Sequence, residues 1–382
     1  GIAEEDFTRV VREDPKQKGL LYAGTENGMY ISFDDGANWR SFQLNLPIVP
    51  ITDLLIKDND LIVATQGRSI WIIDDLSLLH QLYKTNSTVT NLFQPAKSYR
   101  MGGYSRKNSK TAGTNHLPGV VTYFYLENDP KNDTIKLSYL NKKNDTIKSF
   151  SNKSDKNKLE VKQGANMNDW DLRGEGAERL DGMILWWAST EAPQAVPGEY
   201  QVVLEVNDEV MKKDFEIVPD PNAETDIAGM QQQFDFISDV NATVDKAHKS
   251  IKKMRDLESQ LKAFQKQYKG NEITKELIEK AGKLSDSISE IENALYQTKN
   301  RSNQDPLNFP IKLTNKLAHL NSLVGMDDFP PTDADIEVKN ELTAKINAEL
   351  DKFDALLNEE VADFNRKFNE LNLNYLFTEP AD

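Results

Sequence analysis

Two adjacent carboxylates, Asp34 and Asp35, sit in the run Ser32-Phe33-Asp34-Asp35-Gly36-Ala37-Asn38-Trp39. A second pair, Asp74 and Asp75, closes the run Arg68-Ser69-Ile70-Trp71-Ile72-Ile73-Asp74-Asp75. Paired carboxylates can supply the acid and base of glycoside hydrolysis when they face a sugar at about 5.5 or 6.5–9.5 Å. In a turn they have a plainer task. A short Asp accepts backbone N–H bonds, and a glycine such as Gly36 permits positive φ. A third acidic group, Glu175, Glu178 and Asp181, lies in the glycine-rich stretch 173–182, close in sequence to Trp170, Trp186 and Trp187. Those rings could stack on a sugar, but the core and edge of a β-sandwich is the simpler expectation, and the acidic group is not expected to catalyse. Other chemistry is sparse. Cysteine is absent, which removes disulfides, thiolate metal sites and cysteine nucleophiles. Among the four histidines, His248 and His319 have no ligand-spaced partner. There is no glycine-rich phosphate loop, no Gly-x-Ser-x-Gly elbow and no His-Glu-x-x-His. No catalytic, cofactor-binding or metal-ligating residue is therefore expected.

Composition sets the frame for these residues. The chain has 382 residues, with 46 Lys plus Arg against 61 Asp plus Glu, a net charge of −15. Phosphate binding needs a basic face, so a nucleic-acid partner is not expected. Hydrophobic residues make up 38%, enough for packed cores. No apolar run approaches the ~18 residues of a membrane span. The chain opens Gly-Ile-Ala and reads as part of a longer polypeptide.

Glycine and proline divide the chain. Residues 1–222 hold 15 of 19 glycines and 10 of 15 prolines. This predicts strands and loops there and long helices beyond. Leu20–Thr25, Met29–Phe33 and Arg40–Phe42 read as strands around Glu26-Asn27-Gly28 and the Asp34–Trp39 turn. Ile51–Ile56, Leu61–Thr65 and Ser69–Ile73 repeat the cycle. Ala23 and Ala64 are 41 residues apart, a spacing that suggests four-stranded β-propeller blades.

Ser32, Asp34, Gly36 and Trp39 fit the Asp-box pattern Ser-x-Asp-x-Gly-x-x-Trp of bacterial neuraminidase repeats. The stretch from Ala64 to Asp75 resembles the closing blade of bacterial proteins named as BNR-repeat glycosyl hydrolases, or sortilin-like propellers. The resemblance continues through Trp170-Asp171-Leu172-Arg173, Val196-Pro197-Gly198-Glu199-Tyr200 and Gln304-Asp305-Pro306-Leu307-Asn308-Phe309-Pro310, and so covers most of the chain. It implies an extracytoplasmic protein, periplasmic, cell-surface or secreted. In neuraminidases such boxes lie away from the substrate face, so Ser32, Asp34, Gly36 and Trp39 are expected to be structural, with Trp39 packed between blades. Neuraminidase chemistry also wants an arginine cluster, and the spacing of Arg9, Arg12, Arg40 and Arg68 marks none. Arg68, Trp71, Asp74 and Asp75 are expected to close a blade, with Arg68 ion-paired to the acids.

The fold class expected is multidomain β plus α. Residues 1–82 would be an incomplete set of terminal propeller blades, with an open edge that missing upstream blades or another protein chain would cover. Residues 95–220 carry short alternating strands (Val120–Leu126, Ile135–Leu140, Glu199–Val206) and read as an immunoglobulin or fibronectin III-like sandwich. Residues 223–376 would be an antiparallel four-helix bundle. Apolar residues from 227 to 268 recur every three or four positions, Asp226 is the expected N-cap, and Gly270 follows the helix end. Two functions remain open: a non-catalytic structural and interaction region of a propeller protein, or the C-terminal part of a glycoside hydrolase whose active site lies mainly upstream. A glycan or a peptide is the conceivable ligand, and no cofactor is expected.

Overall fold

The chain is mixed β plus α, with several small sheets followed by long helices. The computed structural model describes residues 1–84, 89–101 and 117–371. Residues 102–116 of the expected sandwich and 372–376 of the expected last helix lie outside them. Two compact units result: Gly1–Leu172 with Pro197–Asp220, and Arg173–Val196 with Pro221–Asp382.

The first unit begins with two antiparallel meanders. Strands β1 (Thr8–Glu13), β2 (Leu21–Thr25), β3 (Met29–Ser32) and β4 (Arg40–Ser41) pair in chain order. Strands β5 (Ile51–Lys57), β6 (Asp60–Thr65) and β7 (Ile70–Ile73) do the same. Helix α1 (Ser77–Lys84) follows, where a fourth strand would have continued the second meander. Alternation decides the packing, because successive strand residues face opposite sides. Val10, Tyr22 and Ile31 of the first sheet and Ile51, Leu54, Leu61 and Val63 of the second share one core with Leu76. The opposite face of the second sheet is also apolar. Leu55 pairs with Ile62 and Ile62 with Ile72 across the three strands, and Ile70 lies beside them opposite Ala64. Leu55 is 55% exposed, Ile70 65% and Ile72 55%.

Two further sheets complete this unit. One has the order β13 (Gly164–Trp170), β10 (Val120–Leu126), β8 (Asn91–Leu92). The other runs β12 (Thr146–Ser151), β11 (Ile135–Asn141), β14 (Gly198–Val206), β15 (Glu209–Pro219), β9 (Ser98–Arg100), with only β9 parallel to its neighbour β15. Strand β10 buries Val120, Thr122, Phe124 and Leu126 in strict alternation. Trp170 is fully buried and stacks on Tyr139 at 4.6 Å between ring centroids, with Phe215 edge-on to both. Burial pushes the Tyr139 hydroxyl up to about 12, although it bonds to Thr122 Oγ1 at 2.9 Å and accepts from Asn168.

The second unit carries α2 (Ile227–Gln267), α3 (Lys275–Leu295), α4 (Leu313–Val324) and α5 (Asp333–Leu356), the last continued through a π-helical turn (Leu357–Val361) into α6 (Ala362–Glu370). Asp226 caps α2 by accepting from the Gly229 N–H at 2.8 Å, and Thr332 with Asp335 forms a capping box on α5. The expected seam of α2 is buried from Met230 through Val240, Val244, Ala247 and Ile251 to Leu261. It meets Leu284 and Ile288 of α3, Leu317 of α4 and Ile346 and Leu350 of α5 in one core. Ile273 is exposed in a 3₁₀ turn (Glu272–Thr274) just before α3.

Candidate functional site

The box turn between β3 and β4 is tied together by Ser32, Asp34 and Asn38. Ser32 Oγ donates to Asp34 Oδ1 at 2.8 Å and accepts from the Gly36 N–H at 2.9 Å. Asp34 Oδ1 also accepts from the Asn38 N–H at 2.8 Å, and Oδ2 accepts from Asn38 Nδ2 at 2.7 Å. The Asn38 side chain, its backbone N–H and Ser32 hold the Asp34 carboxyl below the usual range. A proton donor needs the reverse. Gly36 has φ +86°, and a Cβ there would lie 3.3 Å from Leu21 Cδ1 and 3.7 Å from the Trp39 ring, so that half-buried ring lies over its own turn.

At the end of β7 the geometry departs from the expected ion pair. Arg68 Nη1 donates to the Gly67 carbonyl, and the Trp71 indole N–H donates to the Arg68 carbonyl at 2.8 Å. Asp75 accepts instead from Asn59 Nδ2 at 2.7 Å and from the Ser77 N–H and hydroxyl. Arg68 is exposed, while Asp75 has φ +66° and faces the turn it caps, so the two do not meet. Asp74 is also partnered. Sequence reasoning missed a buried neighbour of this turn. Asp14, 2% exposed, accepts from Tyr22 Oη at 3.1 Å and lies 2.8 Å from His80 Nε2, while its other oxygen takes the Lys16 and Gln17 N–H groups. Burial raises the Asp14 pKa, but these bonds outweigh it and hold the carboxyl below its ordinary value. His80 is 66 residues away on α1, with no local spacing to announce the pair.

A cleft of 530 Å³ lies at one end of the five-stranded sheet, lined among others by Lys142, Glu199, Tyr200, Gln201, Asp214 and Glu216. Glu199 and Glu216 are direct cross-strand partners on β14 and β15. Like charges placed so close repel, and each has its own cation: Lys142 at 2.7 Å from Glu199 and Lys97 at 2.9 Å from Glu216. Asp214 accepts from Gln201 Nε2 at 3.0 Å. All three acids are exposed. A general acid held protonated near neutrality needs an apolar site, and this cleft is wet.

The acidic group at 175–181 lies on a segment that is held by its main chain. The segment 173–196 lies on the helices of the second unit, which bind its main chain with side chains. The Glu178 N–H donates to Asp245 Oδ1 at 2.9 Å, and the Glu178 carbonyl meets His248 Nδ1 at 2.5 Å. The Ile184 N–H donates to Tyr296 Oη at 2.9 Å. Asn315 takes both main-chain groups of Trp186, accepting its N–H at 2.7 Å and donating to its carbonyl at 2.9 Å. Asn321 donates to the Ser189 carbonyl and Asn241 to that of Glu191, and the two amides bond to each other at 2.6 Å. The segment closes on itself where Ala177 N–H meets the Thr190 carbonyl at 2.8 Å; a Cβ on Gly176 would be 2.3 Å from that oxygen, so only glycine fits. Of the three tryptophans weighed as a platform, Trp170 is core, Trp186 half-buried and Trp187 72% exposed with φ +48°. The rings are not brought together into a platform by any stacking contact among the described residues.

On α2, Lys249 pairs with Asp245 and Arg255 with Glu292. Among the described residues no group of three or more His, Asp or Glu side chains could hold a metal ion, and no helix is long and apolar enough to cross a membrane. No protein-family model and no curated protein matches the chain. Solved structures similar to it include the extracellular domain of a hybrid two-component system from B. thetaiotaomicron and that of a one-component system from the same organism. Both are 12% identical over 56% of this chain, with TM-scores of 0.17 and 0.15. The chain spans 26% and 30% of their lengths, and scores this low carry no argument about fold or function.

Proposed function

We propose that this chain is a non-catalytic structural and interaction region of an extracytoplasmic bacterial protein. In this reading its first two sheets are terminal blades of a β-propeller, its next two an immunoglobulin-like sandwich, and its helices a four-helix bundle. One observation carries the proposal: the Leu55–Ile62–Ile72 row on the outer face of the second sheet. That sheet is apolar on both faces, and among the described residues only one is covered by a sheet of the same kind. A face of this type marks an interaction surface, and another sheet stacked on it is the cover that its aliphatic row fits. The Asp-box resemblance supports the propeller and extracytoplasmic parts of the reading, and the fully bonded Asp34 supports a structural role for the box.

These 382 residues hold no cysteine, so Ile72→Cys adds one thiol to them. Maleimide labelling located at that position by peptide mass should be rapid in this chain and slow in a longer polypeptide that contains it. Equal reactivity in both would remove the stacked-sheet reading. A glycoside hydrolase remains the second reading, favoured by Glu199 opposite Glu216 in the cleft. It requires that Glu199→Gln or Glu216→Gln abolish sugar hydrolysis by the full-length protein, and hydrolysis unaffected by both changes rules that cleft out.

A further inference from the structure

Two of the four histidines in the sequence hold the same segment. His248 on α2 sets Nδ1 on the Glu178 carbonyl, and His319 on α4 sets Nδ1 on the Trp187 carbonyl. A carbonyl carries no proton, so each Nδ1 must be the donor. The surroundings of the two rings then differ. His319 is half-buried, whereas His248 is 0% exposed and its Nε2 is enclosed without a hydrogen-bond partner. A second proton on His248 would place an N–H and a full charge in a buried position where no acceptor among the described residues meets it, which is costly unless the site opens.

We propose that His248 is a proton-operated latch for the 173–196 segment. With a neutral imidazole the stretch around Glu178 is docked on α2, and protonation at Nε2 undocks it so that the new N–H reaches water. The charged groups acting on the ring are Asp245 on α2, itself paired to Lys249, and Glu178 and Arg179 on the segment. Asp245 and Glu178 favour the imidazolium and Arg179 opposes it, but burial is the largest influence, and the ring is held below the ordinary histidine value. Burial raises Asp245, yet Lys249 and the Glu178 N–H outweigh it and keep that carboxyl below its usual range, so it stays ionised while the histidine titrates. A group whose folded pKa is depressed stabilises the docked form fully above its unfolded value, about 6.5, and progressively less as pH falls below it. One proton taken up on opening changes the opening equilibrium by up to about tenfold per pH unit. The latch does not depend on whether the sheets are propeller blades.

Hydrogen exchange of the whole chain, corrected for the intrinsic pH dependence of the amides, reads the opening directly. Between roughly pH 7.5 and 5, amides 177–191 should lose about tenfold or more of their protection, while the β14–β15 hairpin keeps its own. His248→Asn retains an N–H for the Glu178 carbonyl but cannot take a proton, and should abolish the response; His319→Asn should retain it. Protection that ignores pH in the unaltered chain overturns the latch, as does a response surviving in His248→Asn or vanishing in His319→Asn. Should His248→Asn fail to fold, ¹⁵N-histidine spectra of the unaltered chain decide the matter. Nε2 protonation coinciding with segment opening supports the latch, and opening while His248 stays neutral overturns it.

Discussion

In the sheets at the start of the chain, the box and the turn after β7 are shaped by polar side chains that bind backbone a few residues away; in the helical unit, polar side chains hold main chain far off in the sequence. Asp34 bonds to Asn38 four residues on, and Asp75 to Ser77 two residues on. Asn241, His248, Tyr296 and Asn315 bind main-chain groups that lie 50, 70, 112 and 129 residues away. A local bond shapes a turn and survives in a short fragment. A distant bond forms only when the whole unit has folded, and leaves a buried amide or imidazole unsatisfied if its partner departs. The first unit therefore spends its polar groups on turns and its aromatic residues on cores, while the second uses polar groups to hold a long segment that makes few regular backbone bonds of its own.

If the two units draw on separate cores, damage to one should leave the other standing. Trp170→Ala has the largest expected effect. It removes a fully buried ring stacked on Tyr139 and edge-on to Phe215, and such truncations cost about 3–5 kcal/mol. Near-UV circular dichroism should lose the aromatic signal of the first unit while the far-UV helical signal persists. Loss of both in one transition would show a single cooperative body and dissolve the contrast. Asn315→Ala comes next. It strips both partners from the Trp186 main chain, and leaving buried groups unpaired costs about 1–3 kcal/mol. Amides 184–189 should exchange faster, and Asn315→Asp, which keeps only the acceptor for the Trp186 N–H, should fall between the two. Exchange unchanged in Asn315→Ala would mean that Asn315 does not hold this stretch.

How far each unit was legible follows from the same difference. The strand at Val120–Leu126 and the long helix after Asp226 show in the sequence because alternation and a three-to-four period are local patterns. The box turn shows because its four residues span eight positions. Helix α1 did not: a short run after Asp74-Asp75 looks like any linker, and the packing of Leu76, Leu79 and Tyr83 on the shared core reveals why it folds there. The capture of 173–196 by the helices was invisible, because nothing near Glu178 signals that its carbonyl needs a histidine 70 residues on. Arg68 misled because proximity in sequence to two acids suggested a pair, whereas Asn59, across the turn, gives Asp75 a nearer donor.

Asp14 blurs the comparison, since it is a long-range polar contact inside the β unit. Its carboxyl is held below the ordinary value by His80, the Lys16 N–H and Tyr22 against the opposing effect of burial. A carboxylate with a depressed folded pKa stabilises the fold fully above its unfolded value, about 3.9, and that contribution is lost as pH falls through the folded value. Acid should therefore loosen the first unit below about pH 4, and Asp14→Asn should flatten this part of the profile while lowering stability at neutral pH. The check is thermal melting across acid pH. A profile identical in both proteins would show that Asp14 carries none of the acid sensitivity.

Asp34→Ala has the smallest expected effect and bears most directly on what the box is for. The side chain is exposed, so no burial is lost, and the change removes only the acceptor that gathers Ser32 and Asn38 into the turn. Gly36 keeps its positive φ and Trp39 keeps its place over the turn, so the meander should still form with a modestly lower melting temperature. Asp34→Asn should be milder, since one side-chain oxygen remains for the Asn38 N–H. If Asp34 were a catalytic acid, the order of effects would reverse. Melting would be untouched, because the turn would not need it, and hydrolysis by the full-length protein would vanish in both variants. A depressed carboxyl whose two oxygens already accept from Ser32 and Asn38 is ionised at neutral pH and has no proton to give. The structural outcome follows from those bonds, and one melting curve beside one activity assay distinguishes the two.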